Sequence, residues 1–185
     1  MTPIVLERLQ KALLPQIKAI DRAGLGDFWS LASYEQELTN PNSYLIGAIT
    51  AAKLLGFGCL WRIVEEAHIT VLVVHPDYQG QGIGKLLVWG LLAQAHYTGA
   101  EWAVLEVEEF NQTAIKLYEY FDFTEVGRRQ NYYQHTGASA LVMWRKGLQS
   151  DLFPGRLQEW WGAITEKLRR NGWSAQNYLK GKVVD

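Results

Sequence analysis

The apolar residues of this chain recur with two periods, one helical and one strand-like. Ile4 and Leu6 mark a short strand, and Leu13, Ile17 and Ile20 predict a helix over 13–23 that Gly24 and Gly26 end. Ser33-Tyr-Glu-Gln36 has the spacing of a capping box and predicts the start of a second short helix. Residues 44–49 and 54–64 read as strands joined by a turn, with Glu65-Glu66-Ala67 as the next tight connection. HITVLVV, residues 68–74, is almost continuously apolar and β-branched, which predicts a central strand covered on both faces. A helix over 82–98, a strand over 101–108 and a helix over 111–121 follow. Two strands near 124–132 and 138–145 complete the pattern.

The order β-α-α-β-β-β-α-β-α-β-β predicts an α/β (α+β) domain over 1–149, a mixed sheet with helices on its faces. Residues 150–185 come after that unit and read as a C-terminal helical extension. Within them Leu157, Trp160, Trp161, Ile164 and Leu168 recur at helical spacing, and Asn171-Gly172 is a stop signal. The stripe is expected to pack on its own domain or against another copy. Six basic residues against four acidic ones also leave open a partner or a membrane surface.

Composition narrows the class. A chain of 185 residues with 48% hydrophobic and 20% charged content has the makings of one globular domain with a sizeable core. A net charge of −1 gives no electrostatic case for nucleic acid. No apolar run approaches the roughly 18 residues of a membrane span. The start, MTPIVLERLQKALLPQ, is too broken by polar residues to be a signal peptide. The single cysteine, Cys59, cannot form an internal disulfide, and in GFGCLW it reads as a buried small hydrophobe. The expectation is a soluble, cytoplasmic protein. His68, His96 and His135 show no metal-ligand spacing, so no metal is expected.

The candidate chemistry starts at HPDYQGQGIGKLL, residues 75–87. Gly80, Gly82 and Gly84 alternate through a loop that runs into an apolar helix. Glycines let successive backbone N–H groups point into one concavity, and the helix adds its positive end, so the loop suits a phosphate. Lys85 in the first turn opposes the helix dipole, which an anion there would relieve. A nucleoside-triphosphate loop is excluded, because Gln79 stands where its first glycine belongs and Leu86 where Ser or Thr belongs. A dinucleotide fingerprint is excluded as well: from Gly80 or from Gly82 its third glycine falls on Lys85 or Leu87.

VLVVHPDYQGQGIGKLL resembles the coenzyme signature of the GNAT acyltransferases, Q/R-x-x-G-x-G/A after a central strand, here Gln79-Gly80-Gln81-Gly82-Ile83-Gly84. LEVEEFNQTAIKLYEYFDF, the segment Asn131-Tyr132-Tyr133 after Arg129, and Trp29-Ser30 are similar to the ribosomal-protein alanine N-acetyltransferase (RimI-like) branch. The resemblance covers roughly residues 3 to 145. It implies a GNAT-like, mostly antiparallel sheet and acetyl-coenzyme A as co-substrate. The pyrophosphate would be held by the loop from Gln79 through Lys85, and the pantetheine aligned by backbone groups of Leu72, Val73 and Val74. It also implies a protein or peptide N-terminus as acceptor, a ribosomal protein among the candidates, with Trp29 and Tyr132 on the acceptor side.

Three residues carry both a local reading and an implied one. In WAVLEVEEF, alternation puts Glu106 on one strand face with Trp102 and Val104, where an unused carboxylate would be costly. The resemblance makes it the general base. Tyr118 shares a helical face with Ala114, Leu117 and Phe121 and reads as core; the resemblance makes it the acid for the leaving thiolate. Asn111 reads as an N-cap and, by resemblance, also contacts the coenzyme. Two departures bear on the acceptor: Glu108-Glu109 bring acid near its cleft, and Gln130 replaces an arginine of the branch pattern. The residues leave open a small-molecule amine or lysine acetyltransferase, and a non-catalytic coenzyme-A-binding module. Glu106 and Tyr118 together weigh against the module, since a binder needs neither.

Overall fold

The computed structural model describes residues 1–51 and 53–179. Eight strands form one sheet in the order β6-β7-β5-β4-β3-β2-β1-β8. They are β1 (Thr2–Arg8), β2 (Ser43–Ile49), β3 (Leu54–Ile63), β4 (Glu66–Val74), β5 (Trp102–Glu108), β6 (Thr124–Arg129), β7 (Ala140–Lys146) and β8 (Trp173–Asn177). The pairs β4–β5 and β1–β8 are parallel and the other pairs antiparallel.

Helices α1 (Leu14–Leu25) and α2 (Leu31–Thr39) lie on one face, over a core of Ile17, Tyr34, Phe57, Val71 and Val73. On the other face lie α3 (Ile83–Tyr97), α4 (Gln112–Tyr120) and α5 (Phe153–Arg170), which share a larger core with Leu6, Ile69 and Leu105. The predicted fold class is the one observed: a mixed, mostly antiparallel sheet with helices on both faces.

Local chemistry explains most boundaries. The second helix starts earlier than the capping-box spacing predicts. Ser30 is its N-cap, accepting from the Ser33 N–H at 3.0 Å, so Ser33 lies inside the first turn. Asn111 caps α4 as expected, accepting from the Ala114 N–H at 3.1 Å.

The apolar run of β4 has a specific cause. Cys59 pairs with Val71 but Leu60 pairs with Ile69, so Thr70 is an extra residue, a β-bulge. The bulge reverses the alternation: Ala67 and Ile69 face the α3 side, whereas Val71 and Val73 face the α1 side. Both faces need apolar residues at different places along one strand.

Residues 150–179 are built into this architecture. Phe153, Leu157, Trp160, Ile164 and Leu168 of α5 are buried in the α3-side core, and Trp161 meets Trp89 of α3 with ring centroids 4.5 Å apart. Truncating one such buried aromatic costs about 3–5 kcal/mol. Beyond the helix, β8 pairs in parallel with β1 from Thr2↔Trp173 to Leu6↔Asn177. The sequence reading gave this segment a helix and a stop but no strand.

Candidate active site

Two parallel strands that part company make the centre of the site. β4 and β5 pair only from Glu66↔Trp102 to Ile69↔Leu105. Beyond that point β4 continues beside β3 and β5 beside β7, so a wedge opens between the strand ends. Leu72, Val73 and Val74 lie on one wall and Glu106 begins the other.

The glycine loop sits just past the β4 wall. A single 3₁₀ turn at Pro76–Tyr78 leads into it, and the Gln79 side chain ties it back by donating to the Val74 carbonyl at 3.1 Å. Gly80 has φ +75° and Gly82 φ +101°, a region closed to most side-chain-bearing residues. Among the described residues the N–H groups of Gly80, Gln81 and Gly82 have no hydrogen-bond acceptor. Gly82 offers α3 no side-chain cap. Unpaired donors at the start of a 15-residue helix fit a pyrophosphate.

Two further side chains of the loop have partners within the protein. Gln81 is committed to structure, donating to the Asp77 carbonyl at 3.2 Å and accepting from the Trp173 indole at 2.8 Å. Lys85 is folded over the Tyr120 ring, its Nζ 3.2 Å from the centroid. Burial and the neighbouring Lys167 ammonium push its pKa below the ordinary lysine range. Asn111 spends its side-chain oxygen on the α4 cap.

Glu106 faces away from the α3-side core, whereas Ala103, Leu105 and Val107 face into it. Its side chain is 10% exposed, and both oxygens are engaged. His68 Nε2 lies 2.6 Å from Oε2, and Arg129 Nη2 lies 3.0 Å from Oε1. The hydrogen bond from His68, with the charges of His68 and Arg129, outweighs burial and holds the carboxyl below the usual range.

Tyr118 of α4 is buried, its ring edge-on to Phe123 at 5.8 Å. Burial first, then the nearby Tyr133 hydroxyl, raises its phenol far above the ordinary value. Burial, with Tyr132, Glu108 and Glu106 nearby, pushes Tyr133 up to about 12. Tyr133 thus lies within electrostatic reach of both Glu106 and Tyr118.

The side on which the resemblance places the acceptor is aromatic. Trp29 stacks on Phe28 at 5.6 Å and on Trp61 at 6.2 Å, and a cleft of about 710 Å³ lined by Trp29, Ser33, Glu37, Asn42 and Trp61 opens there. The loop carrying Trp29 is pinned by the fully buried Asp21, which accepts from the N–H groups of Phe28 at 2.9 Å and Trp29 at 3.3 Å. Tyr132, 47% exposed, packs edge-on to Tyr133 with the Arg129 guanidinium 5.9 Å from its ring. Of the two acidic residues noted in sequence, Glu109 is neutralised structurally by Arg128 at 3.4 Å and the Ser139 N–H at 2.8 Å. Gln130 accepts from the Ser139 hydroxyl at 3.2 Å.

Sequence reasoning missed His68, gave Tyr133 no role, and did not place Arg129 beside Glu106. Glu106 interrupting an apolar face signalled a carboxylate in use, but His68 beside it is 38 residues away and only the fold brings it near.

The split parallel pair, the glycine loop that opens α3 and the Glu106 carboxylate at the split form the candidate site. The chain belongs to the acetyltransferase (GNAT) family, whose model matches residues 14–123, and it is an N-acetyltransferase by that membership. It is 33% identical over 123 residues to the N-alpha-acetyltransferase RimI of Mycobacterium tuberculosis, covering 64% of this chain and 76% of that protein. It is 37% identical over 93 residues to the ribosomal protein bS18-alanine N-acetyltransferase of Escherichia coli K12, covering 49% of this chain and 63% of that protein. The crystal structure of the Escherichia coli ribosomal-protein-S18-alanine N-acetyltransferase superposes with a TM-score of 0.70 at 27% identity, over 76% of this chain and 92% of that one. A longer Mycobacterium leprae relative is matched over only 33% of its length. Among the described residues no helix is long and apolar enough to cross a membrane.

Proposed function

We propose that the chain moves the acetyl group of acetyl-coenzyme A to the α-amine of a protein N-terminus, of the ribosomal-protein alanine type, in the cytoplasm. The observation that carries this is the carboxylate of Glu106 at the mouth of the β4–β5 wedge, facing the cleft side of the sheet rather than the α3-side core. The relatives named for N-terminal and bS18-alanine acetylation support the acceptor.

When bound, acetyl-coenzyme A supplies an activated acyl group and a thiolate that leaves. The unpaired N–H groups of Gly80 to Gly82 bind its pyrophosphate, and the strand end at Leu72 to Val74 aligns the pantetheine in the wedge. Trp29 and Tyr132 orient the acceptor chain. Glu106 draws the proton from the attacking amine, and Tyr118 gives one to the departing sulfur. The raised phenol suits that task, because Tyr118 keeps its proton at neutral pH.

Proton supply also favours an α-amine. At pH 7 an α-amino group of pKa about 8 is roughly 10% neutral, whereas a lysine near 10.4 is below roughly 0.1%. Initial rates on three peptides test the assignment: free N-terminal alanine, the same peptide N-blocked with internal lysines, and a lysine-free version. Transfer to the two free-amine peptides is expected. Efficient transfer to the blocked peptide would move the assignment to lysine, and transfer only to small amines would move it to a metabolite.

A further inference from the structure

Helix α5 ends beside the glycine loop. Lys167 and Leu168 lie in its last turn, and Leu168 is fully buried in the α3-side core, which fixes their backbone. A Cβ built on Gly82 would stand 3.4 Å from Cγ and 3.6 Å from Cδ of Lys167. The aliphatic stem of Lys167 therefore covers Gly82, the last of the three residues whose N–H groups have no acceptor at the start of α3.

The charge on that stem has no counterpart. Lys167 is exposed, and among the described residues no carboxylate pairs with its ammonium. Glu166, its acidic neighbour on the helix, is taken by Arg169 and Arg170, each at 3.0 Å. Asp77, on the turn before the loop, lies 3.7 Å from Nδ1 of His75. The other ammonium at the loop, Lys85, sits over the Tyr120 ring, and burial first and then the like charge of Lys167 lower its pKa. The last turn of a helix carries partial negative charge, which disfavours a phosphate beside it; a lysine in that turn reverses the local sign. Two cations and a row of unpaired N–H groups thus share one small region, and an anion placed there would relieve their mutual repulsion.

We infer that Lys167 is a coenzyme-binding residue, supplied by α5 to the pyrophosphate held at the glycine loop. This rests on the reading of that loop as the acetyl-coenzyme A site. Lys167 lies beyond residues 14–123, the stretch that the family model matches. The work divides between two kinds of donor. The backbone N–H groups of Gly80 to Gly82 are fixed in direction and orient the diphosphate, whereas the ammonium on its flexible stem adds a point charge. The stem crosses Gly82 itself, which assigns that charge to the group at the loop rather than to the ribose phosphate.

Calorimetric titration of wild type, Lys167→Met and Lys167→Arg tests this with two ligands, coenzyme A and dephospho-coenzyme A, which keeps the pyrophosphate and lacks the ribose phosphate. Methionine keeps a stem over Gly82 and removes the charge; arginine keeps the charge. Lys167→Met is expected to raise the dissociation constant roughly three- to tenfold for both ligands, the size of one charged contact at an exposed site. Wild-type affinity should fall more steeply with added salt than that of the variant. Lys167→Arg should stay within about twofold of wild type, since a single point charge is all that is asked of the side chain. If methionine lowers the melting temperature of the free protein, Lys167→Gln carries the same logic. An unchanged constant for the uncharged variant would overturn the proposal. A loss confined to coenzyme A would overturn it too, by moving the lysine to the ribose phosphate. Failure of the wild type to bind either ligand would sink the coenzyme reading itself, whereas wild-type binding that ignores Lys167 would leave that reading intact and remove only this residue.

Discussion

Trp173 and Gln81 are joined across 92 positions of sequence by an indole N–H donated to an amide oxygen at 2.8 Å. The same indole presents an edge to Tyr78 at 6.2 Å, so β8 braces both ends of the turn that becomes the glycine loop. Trp173→Phe keeps a ring against Tyr78 and removes the hydrogen bond. A lost bond of this kind is worth about 0.5–1.5 kcal/mol, so the dissociation constant for coenzyme A should rise about two- to tenfold by calorimetry. An unchanged constant would show that the extension supports the fold without tuning the loop.

Gly82 combines φ +101° with neighbours on α5: a Cβ there would lie 3.4 Å from Lys167 and Leu168. Saturating coenzyme should stabilise the wild type by about 2.7 kcal/mol at 100 times its dissociation constant. Gly82→Val should largely abolish that shift in thermal melts. An undiminished shift would remove the loop from coenzyme binding.

Tyr118→Phe deletes one hydroxyl and keeps the ring against Phe123. Turnover should fall roughly 10²-fold with coenzyme affinity preserved, as for loss of a general acid. The sign of its pH dependence is set by the raised phenol, since the donor form persists above the ordinary value of 10.0. Wild-type rate profiles should therefore show no loss from Tyr118 on the alkaline side below that pH.

Asp21 is fully buried, 2.9 Å from the Lys18 ammonium, and accepts from two N–H groups of the Trp29 loop. Asp21→Ala leaves those donors and a partly buried ammonium without their acceptor, which costs about 3–5 kcal/mol in a denaturation experiment. Acceptor KM should rise more than the coenzyme dissociation constant, because the loop carries Trp29 and lies far in sequence from the glycine turn. Equal effects on both would argue against an acceptor role for that loop.

How much was legible beforehand follows physical range. The glycine loop, the Asn111 cap and the alternation that singles out Glu106 are local, and local rules place them correctly. The bulge at Thr70 was hidden, because an uninterrupted apolar run looks the same whether a strand is covered on both faces or changes face midway. The serine at the start of α2 was misplaced by three residues, since Ser30 and Ser33 both offer a hydroxyl and the latter has a glutamine at the favourable spacing. His68 and Arg129 reach Glu106 from two other strands, and no short-range pattern encodes such a meeting. WSAQN reads as polar loop in isolation; its strand character comes from β1 beside it.

That last pairing imposes an order of events. Thr2 to Leu6 lie against Trp173 to Asn177, so contacts at this edge span nearly the whole length of the chain. Loop closure of that span comes late and slowly compared with hairpins such as β3–β4. During synthesis, at about 5–20 residues per second, β1 is made early and waits many seconds for its outer neighbour. Over that interval only β2 is available to cover it, and its other edge is open to foreign strands. The indole that braces the glycine loop arrives with the same late segment. Coenzyme should therefore meet a finished loop only on chains that have been read through to β8, and a pulse-labelled ladder of nascent chains should gain coenzyme-dependent protease resistance in one step at that length.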